Sequence, residues 1–235
     1  IKTPLTSIIG YAELLKNHEC DRELQEQALD YILEEGKRLN SITRKMIKLS
    51  RIQPGLLNIE RQDVKKMLET SLMAVRMKAG QKQIHFTSDI PEGIFCYGDR
   101  EFLITMMENV LDNAIKASHE GGVIEVRAAG EGGALAYIQV TDHGIGIPAD
   151  ILDKIDQPFF KGDKAHSQGG DGFGMGLAIC KSVMLHHHGS LKYESVVGAY
   201  TTVTMRFPAA DYLRLESPEQ TDQVKKDSLW VYEAV

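Results

Sequence analysis

The segment Asn109-Val-Leu-Asp-Asn113-Ala-Ile-Lys116 lies in a helical pattern running from Arg100 to Ser118. Leu103, Met106, Met107, Val110 and Ala114 fall within about a 100° arc of that helix, the width of a face turned toward a core. Beside them Asn109, Asn113 and Lys116, at i, i+4 and i+7, form one polar stripe. Amides are poor helix formers, so their alignment asks for a ligand. Carboxamide oxygen suits a hard hydrated cation and an ammonium suits phosphate, so the stripe reads as a site for a metal and a polyphosphate. A plain solvated helix face is the competing reading.

Downstream, the strand pattern Leu135 to Thr141 places Ile138 and Val140 on one face, and the next residue of that parity is Asp142. A carboxylate turned inward needs a donor, and the exocyclic amine of a base would serve. His143-Gly144-Ile145-Gly146-Ile147-Pro148 follows, with glycines that permit close backbone approach to a ligand. Further on, Gly169-Gly170-Asp171-Gly172-Phe173-Gly174-Met175-Gly176-Leu177 opens directly into a helix, the arrangement of a backbone phosphate cradle. It lacks the preceding strand of a dinucleotide fingerprint and the Lys-Ser/Thr ending of a P-loop. Between the two, Ile155 to Gln168 is loop-like and carries Pro158-Phe159-Phe160-Lys161, the pattern of a mobile lid with an aromatic latch.

Around this centre the chain divides. Ile1, Leu5, Ile8, Ala12 and Leu15 form one helical seam, and Ala28, Ile32, Leu39, Ile42, Met46 and Leu49 a second, with Glu35 in the missing apolar slot. The polar run Lys16 to Asp21 separates them, and Gln53-Pro54-Gly55 stops the second. Two such helices cannot close a core alone, so residues 1–53 are expected to pair with a second copy as a four-helix bundle. From Leu56 the periods alternate: a strand at Leu56–Glu60, a helix capped by Asp63 running to about Ala79, and strands at Gln83–Ser88 and Ile94–Tyr97. The long helix comes next, followed by strands at Val123–Ala128 and Leu135–Thr141, a helix at Gly176–His188, and strands at Ser190–Ser195 and Thr201–Phe207. The expected fold is α+β: a helical hairpin over 1–53, an α/β sandwich with a mixed sheet and a layer of helices over 56–207, and a polar tail over 208–235.

The 235 residues are 43 % hydrophobic with 7 % aromatics, enough for cores built from aliphatic side chains. The net charge is −6, and the acidic excess falls outside the near-neutral first 53 residues, which argues against a nucleic-acid footprint. Three scattered cysteines, Cys20, Cys96 and Cys180, make neither a disulfide framework nor a CxxC pair and fit a reducing compartment as buried free thiols. No membrane-spanning run occurs.

In this order and at these separations the segments resemble the catalytic core of sensor histidine kinases, over residues 1 to about 207. Asn109 to Lys116 is similar to the family's N box and Asp142-His-Gly144-Ile-Gly146 to its first glycine box. Pro158-Phe159-Phe160-Lys161 is similar to its F box, and Gly172-Phe-Gly174-Met-Gly176-Leu177 to its second glycine box. Ile1-Lys2-Thr3-Pro4-Leu5 resembles the end of the H box, His-Glu-x-x-Thr-Pro-Leu.

The resemblance implies that Asn113 ligates a Mg²⁺ bridging the ATP phosphates, with Asn109 and Lys116 on phosphate or metal. It makes Asp142 the acceptor of the adenine amine and Thr201 a support of the adenine pocket. Gly144, Gly146, Phe159, Lys161, Gly172, Gly174, Gly176 and Leu177 would line the nucleotide. Where related ATPases carry a Glu that activates water, this chain has Asn109, which favours transfer to a protein over hydrolysis. The family's phosphoacceptor His would stand two residues before Ile1, and its absence here reads as truncation. Thr3 matches the family's phosphatase position. No other histidine substitutes: His18 is too far along the helix, and His186, His187 and His188 suit a helix C-terminus closed by Gly189 better than a metal.

The implied protein is a homodimeric, cytoplasmic kinase core that passes phosphate to a response-regulator receiver domain, reaching a membrane only through segments upstream. The alternatives are a non-catalytic nucleotide-binding interaction module and an ATP-hydrolysing chaperone-like dimer. Departures from the family pattern are His143 for Asn, Gln157 for Glu, Ala117-Ser118 for an aromatic after the N-box Lys, and Tyr200 for a glycine.

Overall fold

The computed structural model describes residues 2–18, 20–53, 55–132, 134–160 and 174–208, with the backbone alone for Lys2, Thr3 and Glu131. α1 (Lys2–Asn17) and α2 (Arg22–Arg51) come first as a hairpin. Asp21 caps α2, accepting the Leu24 N–H at 2.8 Å, and Tyr11 stacks on Tyr31 at 4.9 Å between ring centroids. The line of α1 turned toward α2 departs from the expected seam. Pro4 is buried and Ile8, Tyr11 and Leu15 are half-buried, whereas Leu5 and Ala12 are exposed. Two helices bury only one line each against one another. Leu5 and Ile9 on α1, with Leu29, Leu33 and Ile47 on α2, are left in solvent as a second apolar surface.

Beyond the hairpin the expected strand at Leu56–Glu60 does not form; β1 is Glu60–Asp63. Leu56 is exposed, and the Asn58 N–H is taken by Asp99 Oδ2 at 3.0 Å, a side-chain acceptor in place of a ladder partner. Asp63 caps α3 (Val64–Gln81) by accepting from the Lys66 N–H, as its position before the helix predicts. The remaining elements are β2 (His85–Asp89), β3 (Phe95–Gly98), α4 (Arg100–Ala117), β4 (Val123–Glu131), β5 (Ala134–Asp142), a 3-10 turn (Leu152–Lys154), α5 (Gly176–His186), β6 (Ser190–Val196) and β7 (Tyr200–Arg206). All lie within a few residues of their expected bounds.

The sheet runs β6-β7-β5-β4-β2, antiparallel except that β2 lies parallel to β4. β3 touches β5 only at Phe95 and Ala134 and carries β1 antiparallel on its other edge. α3, α4 and α5 form the helical layer, with α4 between the other two and against β5. That position explains why α4 buries far more than one stripe: Phe102, Leu103, Met106, Met107, Val110, Leu111, Ala114 and Ile115 are all buried. At roughly 2 kcal/mol for each large apolar side chain, α4 is the largest contributor to the core. Leu49 and Ile52 at the end of α2 pack onto the same cluster, and Lys48 Nζ donates to Thr105 Oγ1 at 3.1 Å. Cys96 and Cys180 are buried free thiols; Cys20 is half-exposed.

The histidine run at the end of α5 serves the fold. His187 is 1 % exposed. Its Nε2 accepts the Asp99 backbone N–H at 3.0 Å, which leaves the proton on Nδ1 to be donated to the Val183 carbonyl at 2.7 Å. The left-handed residue is His188 (φ 55°) rather than Gly189. Gly189 is required for a different reason, since a Cβ there would overlap the Met184 side chain and crowd the Arg206 carbonyl. The same Asp99 caps α4 through the N–H groups of Glu101 and Phe102, so one residue joins α5, α4 and the segment leaving the hairpin.

Burial first, with the neighbouring His186 and His188 charges, lowers the His187 pKa below its ordinary value and outweighs its bond to Val183 and the charge of Asp99. Only the neutral ring can accept the Asp99 N–H, so the unfolded chain binds the extra proton, and this contribution to stability is lost as pH falls below about 6.5. In urea denaturation, His187→Gln should therefore be less stable than the parent at pH 7.5, by about 1–3 kcal/mol for a lost buried bond. That deficit should shrink toward pH 5; one that does not change with pH would contradict the arrangement.

Candidate functional site

α4 presents one face that no apolar neighbour covers, and it is the face of Asn109, Asn113 and Lys116. Asn109 is half-buried; its Nδ2 donates to the Thr105 carbonyl at 2.8 Å, which turns Oδ1 outward. A methyl group on Gly176 would come within 3.0 Å of that oxygen, so the start of α5 sits directly against the stripe. One turn along, Asn113 is half-exposed and its carboxamide makes no hydrogen bond among the described residues. Lys116 is exposed and engaged, its Nζ lying 2.6 Å from Asp112 Oδ2.

Asp142 ends β5 on the inward face, as strand parity predicts, and is 4 % exposed. Burial pushes its carboxyl up to about 6, against the N–H bond from Gly144 (3.1 Å) and the nearby His143. Thr201 of β7 is its register partner and is also buried. Thr201 Oγ1 lies 3.0 Å from Ser195 Oγ, which donates to the Tyr200 carbonyl and accepts the Ile147 N–H at 2.8 Å. The loop after Asp142 is thereby pinned to β6 and β7.

Its glycines are where the chain passes other backbone. A Cβ on Gly144 would overlap the Ala117 carbonyl, and the Ile145 N–H donates to that same carbonyl, which ties the loop to the end of α4. Gly146 (φ 66°) lies against the Val196 carbonyl with no room for a side chain. His143, in place of the family's Asn, is half-exposed and its Nε2 lies 3.0 Å from Glu125 Oε1. Together these contacts bring the Asp142 loop, the α4 stripe and the start of α5 to one end of the helical layer.

Gly174 (φ 63°) abuts the Phe160 carbonyl, and its own carbonyl accepts the Phe159 N–H at 2.9 Å, so the Phe159 and Gly174 segments are joined. Phe159 is exposed, also with positive φ (66°), and Leu177 packs half-buried on the core. Met175 before α5 has no side-chain capping bond. Lys161, Gly172 and the rest of 161–173 lie outside the described residues, as do the Thr3 side chain, Pro54 and the tail from 209 that includes Leu229–Tyr232.

Residues that the motif reading passed over also shape the site. Asp112 accepts from Lys78 Nζ of α3 through Oδ1 and from Lys116 through Oδ2, both at 2.6 Å. Burial alone would raise its pKa, but the bonds from Lys116 and Lys78 outweigh it and hold the carboxyl below the ordinary range. The Asp112–Lys116 spacing of i, i+4 was a legible pair; Lys78, 34 residues away, gave no local signal. Lys82 Nζ donates to the carbonyls of Ile115, Lys116 and Ser118, closing the α4 C-terminus. Ser195 likewise had no sequence signal, because its role arises from cross-strand register.

The stripe suits the implied cation. A single carboxamide oxygen with phosphate and water completing the shell matches how Mg²⁺ is held, and Asn113 is free to supply that oxygen. Among the described residues no cluster of three His, Cys, Asp or Glu side chains is arranged to hold a metal by itself.

Known protein families match both parts of the chain. Residues 98–211 match the family model described as histidine kinase-, DNA gyrase B-, and HSP90-like ATPase, and residues 1–55 match the His Kinase A (phospho-acceptor) domain. The chain is 33 % identical over 224 residues to the sensor-like histidine kinase SenX3 of Mycobacterium tuberculosis, covering 94 % of this chain and 54 % of SenX3. It is 28 % identical over 212 residues to the sensor histidine kinase WalK of Bacillus subtilis, covering 88 % of this chain and 35 % of WalK. The chain thus spans about half or less of the length of these relatives. Among solved structures, the histidine kinase AdeS of Acinetobacter baumannii superposes with a TM-score of 0.67 at 20 % identity, covering 89 % of this chain and 96 % of that one. The histidine kinase ThkA, solved in complex with the response regulator protein TrrA, superposes with a TM-score of 0.68 at 21 % identity, covering 90 % and 59 %. With these two family matches along one chain and its sensor histidine kinase relatives, the chain belongs to the sensor histidine kinases of two-component systems and carries their catalytic core.

Proposed function

We propose that residues 56–207 bind Mg-ATP and that the parent protein transfers its γ-phosphoryl group to a histidine two residues ahead of Ile1. The observation that carries this reading is the convergence on α4: Asn109 against Gly176, and the Asp142 loop against Ala117. A ligand with an adenine at Asp142 and phosphates toward Asn109, Asn113 and Lys116 meets each of these groups with chemistry it can use. Asp142 accepts the exocyclic amine, supported by Thr201, Gly144 and Gly146. Asn113 and Asn109 offer oxygen ligands on the phosphate side, Lys116 neutralises charge, and the N–H groups at the start of α5, with Gly174, Gly176 and Leu177, approach the phosphates; Gly172 joins them by the resemblance alone. Phe159 stands beside that end, and Lys161, which lies outside the described residues, is assigned to the same site by the resemblance alone. Mg²⁺ held by Asn113 would offset the charge of the phosphate oxygens.

The stripe offers no base for water. Asn109 cannot take a proton, and the Asp112 carboxylate beside it on α4 is held by two lysines. Transfer to an imidazole nitrogen, which is itself the nucleophile, needs no base to activate water: the P–N bond forms as the bond to the bridging oxygen breaks, ADP leaves, and the proton on the other ring nitrogen is released. Phosphoryl transfer of this kind is mostly positioning and charge neutralisation. From the histidine the phosphoryl group would pass to an aspartate of a response-regulator receiver domain, and Thr3 would take part in the reverse, phosphatase direction. The exposed apolar line of the hairpin (Leu5, Ile9, Leu29, Leu33, Ile47) supports pairing of residues 1–53 with a second copy.

Affinity for ATP, with and without Mg²⁺, should separate the wild type from Asn113→Ala. The wild type gains from Mg²⁺, and the variant loses at least about tenfold in affinity, near 1.4 kcal/mol, together with most of that gain. Equal affinities in all four cases would defeat the site assignment. Asp142 must be ionised to accept from adenine and its carboxyl in the free protein sits at about 6, so affinity should decline as pH drops through that value. Asp142→Asn should bind weakly at pH 7.5 and show no inflection there. Finally, the parent protein with its residues before Ile1 should sediment as a dimer at micromolar concentration and take acid-labile, base-stable label from γ-labelled ATP. A histidine at that place that takes no label would favour the interaction-module reading.

A further inference from the structure

Lys78 is the one residue of α3 that reaches the α4 stripe through a side chain of α4 itself, and the motif reading assigns it nothing. Asp112 lies about 40° around α4 from Lys116 and about 60° from Asn109, on the α3 side of the stripe. It takes Lys116 on one oxygen and Lys78 on the other, at 2.6 Å each. Just past the end of α3, Lys82 holds the Lys116 carbonyl at 2.9 Å. Lys116 is thus held at its main chain by Lys82, and its side chain shares Asp112 with Lys78.

We propose that Lys78 is a positioning residue that keeps Lys116 available to an anionic phosphate chain by taking its place on Asp112; this rests on the ATP site proposed above. Two physical points carry it. An isolated Asp112–Lys116 pair would be neutral, whereas the three groups together carry one net positive charge beside the stripe. The Asp112 side chain is only 21 % exposed, so drawing Lys116 away to a phosphate would strand a half-buried carboxylate unless a second cation remained on it. Lys78, on the far oxygen, is that cation. Lys116 can then move from Asp112 to phosphate without leaving an unpaired charge.

The contribution is confined to the charged end of the ligand, and this separates it from a role in holding α3 to α4. Dissociation constants for Mg-ATP and for adenosine, by competition with a fluorescent nucleotide, should be measured for the wild type, Lys78→Met, Asp112→Asn, their double variant and Asn113→Ala. Because Lys78 is largely exposed, Lys78→Met should weaken Mg-ATP roughly threefold to fivefold, the upper range for a screened surface pair. Adenosine affinity should not move. In the Asp112→Asn background, where Lys116 is already released, adding Lys78→Met should cost less than about twofold. Lys78→Gln should repeat the single-variant result. Equal weakening of adenosine and Mg-ATP, an undiminished effect in the Asp112→Asn background, or no effect of Lys78→Met while Asn113→Ala weakens Mg-ATP would each overturn the proposal and leave the site standing. If Asn113→Ala also changes nothing, the site reading itself fails and takes this one with it.

Discussion

Everything at the candidate site depends on the burial of α4. Its apolar side chains are enclosed by the sheet, by α3 and by α5, and a helix covered on that many sides keeps only a narrow strip for other uses. Within the uncovered side lie Asn109, Asp112, Asn113 and Lys116. Because the core around it is close-packed, the strip cannot rotate without displacing residues such as Met106, Met107 and Leu111, all fully buried. The polar groups are thus presented by a closely packed part of the fold, and the loop after Asp142 is tied to it through the Ala117 carbonyl.

Electrostatics divides that end of the molecule in two. At the Asp142 end a carboxylate is buried with few donors and its pKa rises. At the Lys116 end a carboxylate is surrounded by ammonium groups and its pKa falls. One fold thereby offers an under-satisfied acceptor at the end of β5 and a cationic region on α4, which suits a ligand with a donor-bearing base at one end and negative charge at the other. The junction at Asp99 links this arrangement to the hairpin: one residue caps α4, accepts from the linker at Asn58 and donates to His187.

Much of this was legible in the chain. The α4 stripe followed from helical period, the inward Asp142 from strand parity, and the α3 cap from an Asp before an apolar run. Each is local, set by spacing within about a dozen residues. The misreadings share one cause. The strand expected at Leu56 gave way because a residue 41 positions distant takes the Asn58 N–H. The α1 seam was drawn as a single line, although the helix carries two apolar lines and only contact with α2 selects which of them is buried. At the end of α5 the left-handed conformation falls on His188, and Gly189 answers to the Arg206 backbone.

By itself, then, the sequence determined which elements form, which face of each is apolar, and the residue types available to bind a nucleotide, because periodicity and capping act over short range. Only the tertiary structure decided that Asn109 meets Gly176, that the Asp142 loop closes on Ala117, and that Lys78 and Lys82 reach across from α3 to Lys116. Those contacts depend on how far each helix is rotated and slid within the layer. That is settled by the close packing of the whole core, which no local pattern encodes.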